Sequence, residues 1–450
     1  MHYEKFSDGT IKCIEDEIPF ELPEGWSWTR LGSLFSTITG STPSTKDASL
    51  YGDEYPFYKP TDLDAGFDVC VSEDTVSEKG YKNGRILPMY SVLVTCIGAT
   101  IGKTGYIKNS GICNQQINAI LPNTFILPEY TYFCMCSEFE QQQIWTNSSA
   151  TTLPILNKSK FDILFFPVPP KAQQTRTVER IKELLHFVEI IQQEKRTLQE
   201  TIKLTKSKIL DLAIRGKLVP QDPNDEPASV LLERIRSEKE ELIKQGKIKR
   251  DKKESVIFKG DDNSYYEKIG NDVTCIDDEI SFDIPDTWSW TRISTITDIT
   301  MGSSPKSQDI CNDNQYIEFH QGKIYFSKKT LMKSNQYTRK TTKLAPKQSV
   351  LLCVRAPVGE LNITDRDICI GRGLASIKSL GNINEEFIFY WLHPYKTYFV
   401  NQSTGSTFSA ITSDTVRKIL IPLPPLMEQK EILDKIQKVF TLFENLETVN

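Results

Sequence analysis

Cys13-Ile-Glu-Asp-Glu-Ile-Pro-Phe-Glu-Leu-Pro-Glu-Gly-Trp-Ser-Trp-Thr-Arg-Leu31 returns later in the chain as Cys275-Ile-Asp-Asp-Glu-Ile-Ser-Phe-Asp-Ile-Pro-Asp-Thr-Trp-Ser-Trp-Thr-Arg-Ile293, with twelve of nineteen positions identical. An echo of that length marks an internal duplication. It continues in Ser91-Val-Leu-Val against Ser349-Val-Leu-Leu, and in Thr151-Thr-Leu-Pro-Ile-Leu against Ser406-Thr-Phe-Ser-Ala-Ile. Each copy closes alike, on Phe166-Pro-Val-Pro-Pro170 and Ile421-Pro-Leu-Pro-Pro425. Proline cannot continue a ladder but suits a helix start, so both pairs mark a sheet giving way to a helix. Within a copy, short runs of Val, Ile, Tyr and Phe alternate with Gly, Asn, Asp and Ser turns, with short helices at Pro128–Thr146 and Glu385–Asn401. The reading is α+β, with tandem domains over 1–170 and 271–425.

Between them, Val178, Ile181, Leu185, Val188, Ile191, Leu198, Ile202, Thr205, Ile209 and Leu212 fall three and four apart, with a slip near Val188–Ile191 and a polar Lys195. That is a coiled-coil seam on a helix over 171–216. Forty residues without internal Gly or Pro reach roughly 60 Å, longer than a small domain is wide. Gly216 is a natural C-terminal residue for it. A linker over 217–270 follows, with a turn at Asp222–Pro227, a charged helix Ala228–Gln245 whose apolar face is Val230, Leu231, Ile235 and Leu242, and a basic run Gly246–Lys253. A short C-terminal helix over 426–450 carries Ile432, Leu433, Ile436, Val439, Phe440 and Phe443 on one face and is about half the length of the central one. The expected coiled-coil or subunit interface is therefore Val178, Ile181, Leu185, Val188, Leu198, Ile202, Ile209, Leu212, Ile432, Ile436 and Val439.

The chain has 450 residues, 39% apolar and 25% charged, an ordinary globular composition. No charged-then-apolar leader occupies Met1–Cys13, and no apolar run approaches a membrane span, so a soluble, cytoplasmic protein without membrane contact is expected. Ten cysteines without a C-x-x-C pair signal neither zinc nor disulfides and read as reduced thiols. The net charge of −5 argues against nucleic-acid binding through the whole surface. Local charge differs: Lys79–Pro128 and Phe319–Gly359 carry basic residues and no acid. The candidate phosphate and base contacts are Lys59, Lys79, Lys82, Arg85, Lys103 and Lys108 in the first copy. In the second they are Lys328, Lys329, Lys333, Arg339, Lys340, Lys343, Arg355 and Arg372. Asp47–Glu78 is acidic, a poor phosphate contact that faces solvent or another subunit.

Catalytic chemistry is not signalled. The four histidines, His2, His186, His320 and His393, are far apart. Gly98-Ala-Thr-Ile-Gly102-Lys103-Thr104 is one residue short of a phosphate loop, and the following Gly105-Tyr-Ile-Lys reads as a strand rather than a helix. No dinucleotide fingerprint and no Asn/Asp-Pro-Pro-Tyr tetrapeptide occurs. Asp16-Glu17 and Asp277-Asp278-Glu279 read as capping or solubility residues. No catalytic residue, no metal and no cofactor is therefore expected in this chain. A nucleotide-dependent enzyme using Gly98–Thr104, or a coiled-coil scaffold with two protein-binding domains, are the competing readings.

Leu22-Pro-Glu-Gly-Trp-Ser-Trp-Thr-Arg-Leu31, Tyr58-Lys-Pro-Thr-Asp-Leu63, Gly98-Ala-Thr-Ile-Gly-Lys103, Pro167-Val-Pro-Pro170 before a long helix, and Ala213-Ile-Arg-Gly-Lys-Leu-Val-Pro-Gln-Asp-Pro-Asn-Asp-Glu-Pro227 together resemble the specificity subunits of type I restriction-modification enzymes, across nearly the whole chain. The resemblance implies two target-recognition domains, each binding one half of a split target in double-stranded DNA. It also implies antiparallel helices that hold them apart and dock two modification subunits. Those subunits would supply S-adenosylmethionine chemistry, and restriction subunits using ATP and Mg would be further partners. Divergence between Thr39 and Ala150 and between Thr300 and Gly405 implies different half-targets. The short C-terminal helix departs from the pattern, since it cannot match the full central helix.

Overall fold

The computed structural model describes residues 2–6, 8–149, 153–248, 250, 254–403 and 410–448. Thr151, Thr152 and Ser406–Ser409 of the third echo, and Lys249 and Asp251–Lys253 of the basic run, lie outside the described residues. The chain divides into two compact units, Met1–Gln192 and Gln193–Asn450.

In the first unit the Trp-Ser-Trp segment forms a strand, Ser27–Arg30, paired antiparallel with Phe165–Val168, so the start and the end of the copy meet. Trp28 stands opposite Pro167, and a two-stranded ribbon tolerates that proline because its missing N–H faces no third strand. A four-stranded antiparallel sheet follows in the order Thr37–Thr39, Ile117–Ile120, Val92–Thr95, Thr104–Tyr106. Val92–Thr95 is buried along its whole length, which is why it reads as a continuous apolar run rather than an alternation. A smaller sheet joins Thr75–Val76, Tyr51–Tyr58 and Ile112–Cys113, the last two in parallel through Phe57↔Ile112.

The second unit repeats this plan. Ser289–Arg292 pairs with Leu420–Leu423, placing Trp290 opposite Pro422. The four-stranded sheet runs Thr297–Met301, Leu374–Ser379, Ser349–Cys353, Leu361–Thr364, the same order as in the first copy. The smaller sheet grows to five strands but keeps its parallel pair, Phe319↔Cys369. Trp391 is fully buried against this frame and donates from Nε1 to the Pro422 carbonyl at 3.0 Å. Removing an indole of that size from water is worth about 4–6 kcal/mol.

Both Pro-Pro pairs begin helices, and both use one device. Gln174 Nε2 donates to the Pro169 carbonyl and Gln429 Nε2 to the Pro424 carbonyl, each at 3.0 Å, fixing the strand-to-helix corner. The central helix spans Lys171–Ile214, 44 residues, and the C-terminal helix Leu426–Thr448, 23 residues. Gly216, with φ +65°, closes the central helix, and Lys217 N donates back to the Leu212 carbonyl at 2.9 Å.

Several expectations are corrected by the packing. The residues over 217–270 are not a free linker: Ala228, Leu231, Leu232 and Ile235 of the helix Ala228–Lys244 enter the second unit's core, while Val230 faces outward. A three-stranded meander, Ser255–Lys259, Tyr265–Ile269 and Asp272–Cys275, begins well before residue 271. Val178 belongs to the first unit's core, and Ile432 and Ile436 to the second's, rather than to a coiled-coil seam. At the end of the central helix, Leu210, Ala213 and Ile214 are buried where Ile209 and Leu212 are only partly so. There the helix meets a domain surface instead of a single helix, so a different stripe faces inward. The pairing with the C-terminal helix is antiparallel and partial: Lys206 bonds Glu447 at 3.2 Å, and Gln221, just past the helix end, bonds Glu428 at 2.5 Å. Ile202 is buried, Leu198 and Ile181 are half-buried, and Leu185 and Val188 are exposed.

Candidate nucleic-acid interface

The repeated arginine organises one end of each copy. Arg30 binds Glu4 at 2.9 Å and Glu17 at 2.8 Å; Arg292 binds Glu267 at 2.6 Å and Glu279 at 2.7 Å. Glu17 and Glu279 are therefore partners of the repeat's own arginine, correcting their reading as capping or solubility residues.

In the first copy the expected basic face is neutralised by the acidic segment beside it in sequence. Lys59 pairs with Asp74, Lys79 with Asp47 at 3.1 Å, and Lys82 with Glu78 at 2.7 Å. Lys103 pairs with Asp64 at 2.7 Å and Lys108 with Asp68 at 3.3 Å, the latter also lying 4.1 Å from the Phe67 ring centre. Arg85 donates to the Thr39 carbonyl at 2.6 Å. Asp47–Glu78 thus folds against the lysines expected to meet phosphate, instead of forming a separate acidic face. Gly98–Lys103 connects the antiparallel strands Val92–Thr95 and Thr104–Tyr106, with Val94 opposite Thr104. The strand-to-helix context of a phosphate loop is not there.

The second copy differs. Lys328 and Lys329 pair with Glu447 at 3.5 Å and Glu386 at 2.6 Å. Lys333, Arg339, Lys340, Lys343, Arg355 and Arg372 are exposed, and none has a carboxylate partner among the described residues. Backbone hydrogen bonds gather most of these around one turn, Gly371-Arg372-Gly373. Ile370 N donates to the Lys343 carbonyl at 3.0 Å, Val354 N, next to Arg355, to the Gly373 carbonyl at 2.9 Å, and Ser303 N to the Ile370 carbonyl at 3.0 Å. Thr342 Oγ1 donates to the Ser303 carbonyl, so the segment leading through Lys343 into the strand Leu344–Ala345 is held against the same turn, while Arg339 N donates to the Asp309 carbonyl at 2.9 Å. Arg339 also lies 5.7 Å from the Tyr316 ring centre.

The turn is tight enough to require glycine. A Cβ on Gly302 would lie 2.1 Å from the Gly371 carbonyl oxygen, and one on Gly373 would lie 2.3 Å from that of Gln321. Ser304 Oγ donates to Gln321 Oε1 at 2.8 Å and accepts from Arg372 N at 3.3 Å. Thr42, Gln115, Ser304 and Gln321 escaped the sequence reading, which followed charge. The echo of Gly40-Ser-Thr-Pro43 in Gly302-Ser-Ser-Pro305 points to Thr42 and Ser304, while Gln115 and Gln321 carry no such local signal.

Two copies of one α+β scaffold bearing different surface chemistry on the same frame define a duplicated binding protein. The type I restriction modification DNA specificity domain matches residues 23–200 and 285–450, and the chain belongs to that family. A putative type I restriction enzyme MjaX specificity subunit of Methanocaldococcus jannaschii is 36% identical over 165 residues, covering 36% of this chain and 39% of that protein. The type I restriction enzyme EcoAI specificity subunit of Escherichia coli is 22% identical over 97% of this chain and 81% of its own length. Among solved structures, the HsdS subunit from Thermoanaerobacter tengcongensis superposes with a TM-score of 0.59 at 20% identity, over 96% of this chain and 93% of that one. A chain from a study of complex assembly and conformational transition of the type I R-M system gives 0.68 at 21%, over 96% and 94%. The target-recognition class of α+β fold, in two copies with a long helix after the first, is the shared architecture.

Proposed function

We propose that this chain is the DNA-reading specificity subunit of a type I restriction-modification system, each unit recognising one half of a split target. The observation that carries this is the group of exposed cations, Lys343, Arg355 and Arg372, which surround a fixed turn of the second copy and have no carboxylate partner among the described residues. A chain of net charge −5 has no general affinity for polyanions, so cations left without carboxylates on one face are suited to phosphate. Phosphate contacts fix register, and exposed polar side chains between them read base edges.

The chain itself does no chemistry in this reading. Two modification subunits would bring S-adenosylmethionine and methylate adenine, and restriction subunits would bring ATP and Mg. Docking along the exposed part of the central helix fits its apolar side chains, and a cytoplasmic location fits DNA as the target. A nucleotide-dependent enzyme at Gly98–Thr104 is disfavoured by the hairpin geometry of that loop and by the engagement of Lys103 with Asp64.

The deciding experiment maps methylated adenines in host DNA by single-molecule sequencing, with the gene intact and deleted. A split motif with a fixed gap that loses methylation on deletion supports the reading. An unchanged methylation map, with modification subunits expressed, overturns it.

A further inference from the structure

The tight turn of the second copy has a counterpart in the first, and the two agree bond for bond. Cys96 N donates to the Gln116 carbonyl at 2.7 Å, as Val354 N does to Gly373; Gly40 N donates to the Ile117 carbonyl at 2.9 Å, as Gly302 N does to Leu374 at 2.9 Å. Asn114 N donates to the Tyr58 carbonyl at 3.1 Å, as Gly371 N does to His320 at 2.8 Å. A Cβ on Gly40 would lie 2.0 Å from the Asn114 carbonyl oxygen, matching the constraint at Gly302. This superposes Asn114-Gln115-Gln116 on Gly371-Arg372-Gly373. In each turn the central residue is the exposed one, between neighbours that are buried or half-buried. A backbone fixed this closely in both copies, with Gln115 at one tip and Arg372 at the other, has the form of a common frame carrying different readers.

We infer that Gln115 and Arg372 are base-reading residues at equivalent positions of the two domains, an inference that rests on the DNA-specificity reading above. The chemistry of each tip names its base. The Gln115 amide presents one donor and one acceptor, the pair that matches adenine N6 and N7. Its Oε1 is oriented by the Thr42 hydroxyl at 2.5 Å and keeps a second lone pair for the adenine amino group. The Arg372 guanidinium presents two parallel donors, the match for guanine O6 and N7, and no carboxylate among the described residues holds it back. The flanking Lys343 and Arg355 place phosphate-binding charge beside the tip.

The test uses the full chain with its modification subunits in the host, comparing wild type, Gln115→Ala and Arg372→Ala by methylated-adenine mapping. Arg372→Ala should relax one guanine position of one half-target, lowering discrimination there by about tenfold to a hundredfold, while the other half stays strict. Gln115→Ala should do the same at one adenine of the opposite half. A folding defect would lower methylation at all sites without changing the motif, and that result, like variants with an unchanged motif and rate, overturns the assignment. A wild-type complex that methylates no split motif overturns the specificity-subunit reading and the assignment with it.

Discussion

Arg292 Nη1 lies 2.7 Å from Glu279 Oε2, joining the last arginine of the Trp-Ser-Trp-Thr-Arg strand to the acidic cluster that precedes it in the repeat. The same guanidinium reaches Glu267, whose side chain is only 11% exposed. Taking away the cation would strand that carboxylate in a poorly solvated place. Arg292→Met should therefore destabilise the second unit by roughly 3–5 kcal/mol. Arg30→Met should cost less, since Arg30 and Glu4 are more open to water than Arg292 and Glu267. Urea unfolding midpoints check both, and equal stability of wild type and Arg292→Met would refute the role given to the pair.

Acid should weaken the second unit in two stages. Burial alone would raise the Glu318 carboxyl, but Arg366, donating from Nε at 2.6 Å and Nη2 at 2.7 Å, outweighs it with help from Ser334 N and His320, and holds it down to about 2. The unfolded chain therefore binds this proton first as pH falls, so the stability is complete above the ordinary glutamate range and is lost between about pH 4.5 and 2. Burial pushes the His320 imidazole below its usual value, so its contribution also fades with acid, starting below about pH 6.5. Glu318→Gln should flatten the lower stage in melting curves recorded at pH 7, 5 and 3, and a variant falling as steeply as wild type from pH 5 to 3 would contradict the assignment.

The duplication was legible because its signals are local. Trp28 and Trp290 sit opposite Pro167 and Pro422, and those residues are conspicuous in sequence. The central helix was equally visible, since periodicity without Gly or Pro needs no partner to be recognised. What faced that helix was not visible. Its last turns meet a domain, so the stripe shifts to Leu210, Ala213 and Ile214, and Ala228–Lys244, read as part of a linker, is docked in a core. Charge was the least legible feature. Lys103 and Arg372 look alike along the chain, yet one faces Asp64 and the other faces no carboxylate among the described residues, because that depends on strands brought together from distant segments.

Glycine at 302 should be indispensable where glycine at 322 is not. Gly302→Ala drives a methyl group to 2.1 Å from a backbone oxygen, which only a displaced turn can relieve, and should destabilise by about 1–3 kcal/mol while weakening DNA binding by the second domain. A Cβ on Gly322 meets nothing within 4 Å. Thermal unfolding and binding to target DNA, measured on both variants, should separate them, and equal behaviour would mean the turn yields easily.

Salt dependence should distinguish paired from unpaired cations. Arg339, Lys340 and Lys343 have no carboxylate partner among the described residues, so replacing any that meets a phosphate should lower the slope of log affinity against log salt by about 0.9. Lys328→Ala and Lys329→Ala, which break pairs with Glu447 and Glu386, should change it less. Titrations of the assembled complex with target duplex at several salt concentrations test this, and identical slopes throughout would remove Arg339–Lys343 from the interface.

The exposed half of the central helix should matter for assembly and not for folding. Leu185 and Val188 are 48% and 47% exposed, alongside the exposed Leu184, Phe187, Ile190 and Ile191, so apolar side chains run along an open stretch of the central helix. Exposed apolar groups at that density are a partner-binding feature rather than a stabilising one. Leu185→Asp with Val188→Asp should leave the melting temperature within a few degrees, because little buried area is lost and aspartate costs only about 0.5 kcal/mol per helical position. Co-purification of the modification subunit should fall sharply. Ile202→Asp is the contrasting variant, since that side chain is 4% exposed, and it should lower stability itself. If the double variant still binds the modification subunit as wild type does, docking uses another surface, and the apolar stretch at Leu184–Ile191 needs a different occupant.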